Sequence, residues 1–196
     1  MNMKKIIITA ILALATMISF AQTKSSDHLS FKGVPIDGTL NEFVAKMKQS
    51  GFTLIGTEKG IALLKGDFAG YKDCTLGVAS LKQKDLVSKI TVIFPERETW
   101  SSLSNNSFTL KEMLTEKYGE PSESVEIFQT YSEPKDDNSR MHEVKLDRCK
   151  YSTIFETDKG SIQLSIAQND MVCFVTLGYF DKINGEVIKA QAIDDL

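Results

Sequence analysis

Histidine and cysteine are scarce in these 196 residues, with two of the first and three of the second. That scarcity excludes much chemistry. His28 stands in a polar N-terminal stretch, and His142 lies seven residues before Cys149. On one extended strand that separation is about 23 Å, so the pair would need a sharp bend to act as base and nucleophile. Metal binding wants clustered His, Cys or carboxylates. His142, Glu143 and Asp147 are too loosely spaced for that, and Asp136-Asp137-Asn138 lacks the further ligands of a calcium loop. These positions read as solvated loop or strand-edge polarity. No catalytic residue, metal site or cofactor is expected.

Basic blocks are missing too. Lys and Arg number 23 against 26 Asp and Glu, giving a net charge of −3. Neutralising a phosphate backbone needs clustered cations, so nucleic acid is excluded as a partner. No basic amphipathic stretch points to anionic lipid.

Long apolar runs are limited to one. Ile6 to Phe20, broken only by Thr9, Thr16 and Ser19, follows Lys4 and Lys5. Ser19-Phe20-Ala21 then puts small residues at the −3 and −1 positions. This pattern predicts a secretory signal peptide over residues 1–21. The run is too short for a membrane span and lacks a basic flank after it. A periplasmic or secreted protein is expected, with no membrane span after cleavage. Loss of Lys4 and Lys5 takes the net charge to −5 over the 175 remaining residues. No cysteine follows the cut, which excludes a lipoprotein-type anchor there. An exported chain can hold disulfides, but three cysteines leave at least one thiol unpaired.

What is present is self-similarity. Thr39-Leu40-Asn41-Glu42-Phe43-Val44 reads against Thr109-Leu110-Lys111-Glu112-Met113-Leu114. Each is a capping box, with the threonine hydroxyl and the glutamate satisfying each other's backbone N–H. Leu40, Phe43, Val44 and Met47 follow at helical spacing in the first copy. Leu110, Met113, Leu114 and Tyr118 follow in the second, with Phe108 placed to staple onto Met113. Gly51 and Gly119 mark the stops, and Pro121 forbids continuation. The ends match as well: Gln83-Lys84-Asp85-Leu86-Val87 through Phe94 aligns with Gln168-Asn169-Asp170-Met171-Val172 through Tyr179. The second copy carries extra residues, placed in the polar stretch Ser132 to Arg140. Thr57-Glu58-Lys59-Gly60 also matches Thr157-Asp158-Lys159-Gly160, a competing register ascribed to shared hairpin chemistry.

Four strands are predicted per copy. They are Phe52–Thr57, Ile61–Lys65, Cys74–Leu81 and Leu86–Phe94, then Val125–Tyr131, a bent Glu143–Glu156, Ser161–Ala167 and Met171–Phe180. Short turns such as Glu58-Lys59-Gly60, Asp158-Lys159-Gly160 and Asn169-Asp170 favour hairpins. Alternation puts Leu86, Ser88, Ile90, Val92 and Phe94 on one face, matched by Met171, Cys173, Val175, Leu177 and Tyr179. The opposite face holds Val87, Lys89, Thr91 and Ile93, and Val172, Phe174, Thr176 and Gly178. Leu29 to Val34 reads as an additional edge strand and Arg97 to Leu103 as a short separate helix. The tail from Glu186 reads as a short or frayed helix.

The expected fold is α+β: a tandem repeat of helix plus four-stranded antiparallel meander, with helices on one face of the sheet. The segments are 22–38 (N-terminal), 39–96 (repeat 1), 97–182 (repeat 2) and 183–196 (tail). Cys149 and Cys173 sit two strands apart, about 9.5 Å, beyond the roughly 7 Å limit for a bridge. A Cys74–Cys149 bridge between copies stays open beside three buried free thiols.

This layout resembles the β-lactamase-inhibitor-protein family, whose tandem helix-plus-sheet copies grip another protein with a concave surface. Lys117-Tyr118-Gly119-Glu120-Pro121 after an amphipathic helix is also similar to a phrase of small exported bacterial proteins of this and related folds. The small assembly lipoproteins of the Gram-negative outer membrane are among them. The resemblance covers Thr39 to Phe180 and implies a protein-binding fold. The inhibitors' paired disulfides and the lipoproteins' anchoring cysteine are absent, and no functional residue carries over by position.

Three aromatic positions are the candidate binding residues. Gly66-Asp67-Phe68-Ala69-Gly70-Tyr71 is not a phosphate loop, since no helix and no lysine–threonine pair follows. Phe68 and Tyr71 read either as an aromatic contact loop or as a hairpin with Phe68 tucked into the core. Trp100, the only tryptophan, reads as an interface anchor or as a cap over the core. The expected function is a non-enzymatic, exported module that recognises a protein in the envelope or outside the cell. A periplasmic small-ligand carrier and a hydrolase of unrecognised type are the alternatives.

Overall fold

The computed structural model describes residues 26–81 and 84–194, so the expected signal peptide lies outside the described residues. The elements run β1 (Ser30–Phe31), β2 (Val34–Pro35), α1 (Leu40–Gln49), β3 (Thr53–Glu58), β4 (Ile61–Phe68), β5 (Tyr71–Leu81) and β6 (Leu86–Ile93). After these come α2 (Trp100–Tyr118), β7 (Glu123–Phe128), α3 (Asp137–Lys145), β8 (Cys149–Thr157), β9 (Gly160–Asn169), β10 (Val172–Asp181) and α4 (Lys182–Asp194). The fold is α+β. Its main sheet is antiparallel, in the order β3-β4-β5-β6-β10-β9-β8-β7. Two four-stranded meanders therefore meet along β6 and β10.

Tight turns close the hairpins. Lys59-Gly60 and Ala69-Gly70 each hold positive φ at both turn residues, which matches the twist of the flanking strands. Asp170-Met171 does the same at the β9–β10 tip, in place of the expected Asn169-Asp170. The faces of Cys173 to Tyr179 are unchanged by that shift, because pairing slips by two residues in sum. Met171, expected on the inward face, instead sits in the turn and is 58% exposed.

One row of side chains shows how the sheet buries a face. Leu64, Leu76, Val92, Leu177, Leu164 and Thr153 lie opposite one another in successive strands. All are at most 4% exposed. Each aliphatic member stabilises the fold by about 1.5–3 kcal/mol through burial. Helix α1 covers the β3–β6 half with Leu40, Phe43, Val44 and Met47, the residues its spacing picks out. Helix α2 covers β8–β10, and α3 packs beside it.

Helix α1 begins as its sequence dictates. The Thr39 hydroxyl accepts from the Glu42 N–H at 3.3 Å, and the Glu42 carboxylate accepts from the Thr39 N–H at 3.0 Å. The second expected start, at Thr109, is a correction: Thr109 lies inside α2. That helix starts after Thr99, whose hydroxyl accepts from the Ser102 N–H. The Asp137 carboxylate also accepts from the N–H groups of Trp100 (3.2 Å) and Ser101 (2.6 Å), where negative charge suits a helix start. With no glycine or proline between 100 and 118, the expected short helix Arg97–Leu103 merges into α2. Phe108 and Met113, having no helix start to staple, stay partly exposed.

Three further expectations need correction. The bent strand Glu143–Glu156 divides into α3 and β8. Asp136 and Ser139 form a reciprocal cap there, and Met141 and Val144 bury one helical side. His142 thus belongs to a helix and not to the strand of Cys149. Leu29–Val34 is no edge strand of the main sheet, because β1 and β2 pair only with each other. In β6 the register skips Ser88, and this bulge turns Val87 inward. The expected outward place of Val87 and the inward places of Leu86 and Ser88 fall with it. Of the two cysteine readings left open, the free thiols hold and no Cys74–Cys149 bridge forms; Cys74 and Cys173 are buried, while Cys149 is half-buried.

Candidate interaction face

The outward face of the main sheet follows from the same alternation. Its central row runs Leu63, Gly77, Thr91, Gly178, Gln163, Ile154 across six strands. Beside it run Lys65, Thr75, Ile93, Thr176, Ser165 and Ser152. The first half of the face carries the exposed apolar side chains, with Ile61 and Leu63 46% and 42% exposed and Ile55 at the edge 60% exposed, beside Lys65, which pairs with Asp73 at 3.1 Å. Ile55 is the extra residue of a bulge in β3, next to Leu54, which pairs with inward Leu64.

The second half carries hydroxyls that bond one another. Gln163 Nε2 donates to Ser152 Oγ at 3.2 Å, and the Ser165 hydroxyl bonds Ser152 Oγ at 3.2 Å. Lys89 lies over the Phe180 ring, 4.8 Å from its centroid. Between the halves, Gly77 and Gly178 flank Thr91. A Cβ at Gly77 would meet the Thr91 carbonyl at 3.7 Å and Leu63 at 3.9 Å, which is ordinary contact. The fold itself therefore does not require glycine at 77. Its absent side chain leaves the main chain of β5 and β6 open to close approach from outside.

The three aromatic candidates lie elsewhere. Phe68 ends β4 and stacks on Phe31 with ring centroids 5.0 Å apart. Tyr71 starts β5 and sets its edge on Phe94 at 5.1 Å. Both rings touch Phe94, so the hairpin brings them together, half-buried. Trp100 is buried in a second cluster, 5.0 Å from both Phe128 and Tyr151. Burial raises the Tyr71 and Tyr151 hydroxyls above the usual tyrosine value. Ile61, Leu63, Gln163 and Ile154, by contrast, were not singled out from sequence. The strand alternation was the signal that could have found them.

The thiols are chemically quiet. Burial pushes Cys149 up to about 12, aided by neighbouring Cys173 and Asp147. Burial also raises Cys74 and Cys173. A nucleophilic cysteine needs the opposite shift. His28 bonds Asp181 through Nδ1 at 2.9 Å, far from any thiol in the chain order and on a different element from His142. Among the described residues, no three His, Cys, Asp or Glu side chains gather as metal ligands, and no helix is long and apolar enough to cross a membrane.

No family model, curated protein or solved structure matches the chain.

Proposed function

We propose that the protein is an exported, non-catalytic module that recognises another protein through the outward face of its main sheet. The observation that carries this is the asymmetry of the sheet. One face is packed to near-zero exposure under helices, while the other presents Ile61, Leu63 and Ile154 around a glycine–threonine centre. A mixed apolar and hydroxyl surface of this kind suits a protein partner better than a charged or small ligand. The signal-like start supports a partner in the periplasm or outside the cell.

The two meanders meeting at β6 and β10, each preceded by a helix, support an origin by duplication of one helix-plus-four-strand unit. They also support the resemblance to the β-lactamase-inhibitor-protein layout. On that reading, the start of α2 at Thr99 instead of Thr109 is a divergence between the copies.

The experiment is cross-linking of tagged Gln22–Leu196 in native envelope and medium fractions, with partners read by mass spectrometry. One protein captured at near-stoichiometric amount, and lost with Leu63→Asp, supports the reading. Capture that survives every outward substitution sinks it.

A further inference from the structure

The segment between Ser26 and Gly38 is a strap whose side chains enter the core while its backbone stays outside the main sheet. Its strands β1 and β2 pair only with each other, around a turn at Lys32 and Gly33 with φ of 49° and 77°. Leu29, Phe31 and Ile36 are 4%, 1% and 0% exposed. Phe31 reaches farthest. It stacks on Phe68 at 5.0 Å, meets the edge of Tyr179 at 5.3 Å and tilts against Phe52 at 6.3 Å. Those three rings belong to the main body: Phe52 precedes β3, Phe68 ends β4 and Tyr179 lies in β10.

The polar tethers of the strap gather on Asp181 and Asn184 at the β10–α4 junction. Lys159 of the β8–β9 turn donates to the Ser26 carbonyl at one end, and the Val87 N–H donates to the Gly38 carbonyl at the other. Asp181 accepts from the Leu29 N–H at 2.7 Å and bonds His28 at 2.9 Å. Asn184 donates to the Ile36 carbonyl at 3.0 Å and to Asp37 at 3.2 Å. The strap then leaves through Gly38, whose φ of 79° only glycine holds without strain. A covering segment with its own small ladder, an anchor of three side chains (Asp181, Asn184 and Lys159) and a glycine at its exit can open without breaking a strand pair of the main sheet.

We propose that this strap is a displaceable plug, and that opening it uncovers a cradle of Phe52, Phe68 and Tyr179 that takes a planar apolar ring in place of Phe31. The occupant is defined by what it replaces: a flat aromatic group that stacks on Phe68 and accepts the edge of Tyr179. The site is separate from the outward sheet face, on the other side of the sheet.

The test is native-state hydrogen exchange on the mature chain, with anilinonaphthalene sulfonate as the ring probe. The Leu29 and Ile36 amides should exchange at least about tenfold faster than those of Leu76 and Leu164. His28→Gln, which weakens one tether, should speed the strap amides about threefold or more and leave the central strands unchanged. The same variant should bind the probe saturably at one site while still melting cooperatively. A second variant, Phe31→Ala, should bind it more tightly because the competing ring is gone. Strap amides that exchange only with the central strands would overturn the plug. A strap that opens without saturable probe binding in either variant would overturn the cradle.

Discussion

The side-chain amide of Asn184 donates to the backbone carbonyl of Val87 at 2.8 Å, joining residues ninety-seven apart in the chain. Val87 points inward only because Ser88 is bulged out of register in β6. The same amide nitrogen also reaches the carbonyl of Ile36. One buried side chain thus ties the N-terminal strap, the central strand and the start of α4. Asp181 completes the junction by accepting from the Asn184 N–H at 2.9 Å, as a cap for α4.

Replacing Asn184 should therefore cost more than an average polar deletion. Asn184→Ala leaves two buried carbonyls without that donor, which predicts about 3 kcal/mol of lost stability. Urea unfolding of the variant should show a lower midpoint with an unchanged slope. A midpoint within error of the parent would show that water satisfies those carbonyls instead.

Glycine positions divide into two kinds. At Gly160, φ is +146° and an added Cβ would fall 2.1 Å from the Phe180 carbonyl oxygen. Gly160→Ala should therefore destabilise by about 3 kcal/mol or more. At Gly77 the added methyl meets only ordinary contacts. Gly77→Ala should stay within about 1 kcal/mol of the parent, because strand interiors favour alanine over glycine modestly. Melting curves of the two variants side by side check the contrast.

Much of this fold was legible locally, and the failures have physical causes. The Thr39–Glu42 box formed because nothing upstream could extend the helix past Gly38. The same letters at Thr109 did not act as a cap, since a better start existed at Thr99, completed by Asp137 from far along the chain. A capping pattern is local, but the choice between two starts is tertiary. Strand parity held through β10, where Cys173, Val175, Leu177 and Tyr179 all face inward. It broke in β6 at a single bulge that no residue type announces. The end of the Asp137–Lys145 helix, from Glu143, reads as strand in the sequence because the helix has too few apolar residues to show a period. The outward face was partly legible from parity alone, whereas Phe68, Tyr71 and Trp100 drew attention by residue type and lie in the two aromatic clusters.

Acid should weaken the protein through its caps. Hydrogen bonds from Ser101 hold Asp137 below the ordinary aspartate value of 3.8. Bonds from Ser139 do the same for Asp136, and bonds from Thr39 hold Glu42 below 4.5. Because these folded-state values lie below the unfolded ones, the stability they confer is present above the unfolded value. It is lost as pH falls through the folded one. Urea midpoints should therefore hold from neutrality down to about pH 5 and drop below pH 4. Asp137→Asn should lower the midpoint at neutrality and shrink the acid-side drop. An acid dependence identical to the parent's would show that Asp137 contributes nothing to it.

The thiols give a reactivity prediction. With Cys149 at about 12, roughly one molecule in ten thousand carries its thiolate at pH 8. Cys149 is half-buried, and Cys74 and Cys173 are buried. An aromatic disulfide reagent should leave the native protein almost untouched for hours and titrate three thiols once urea unfolds it. Fast reaction of one native thiol would reveal an opening motion at that cysteine.

The outward face can be separated from the fold by substitution. Leu63 is 42% exposed and Thr91 is half-buried, and neither contributes to the packed side of the sheet. Leu63→Asp places a charge where a partner's apolar surface would have to desolvate it. Thr91→Arg fills the gap between Gly77 and Gly178 with a long side chain. Substitutions at surface positions away from the core usually change stability by about 0.5 kcal/mol or less. Both variants should therefore melt close to the parent, while their capture of the partner falls about tenfold or more, as for a residue near an interface centre. Phe108→Asp, on the partly exposed side of α2, serves as the control and should keep full capture. If all three variants bind equally, the sheet face is not the contact surface. If Phe108→Asp alone loses the partner, recognition belongs to the helical side of the molecule.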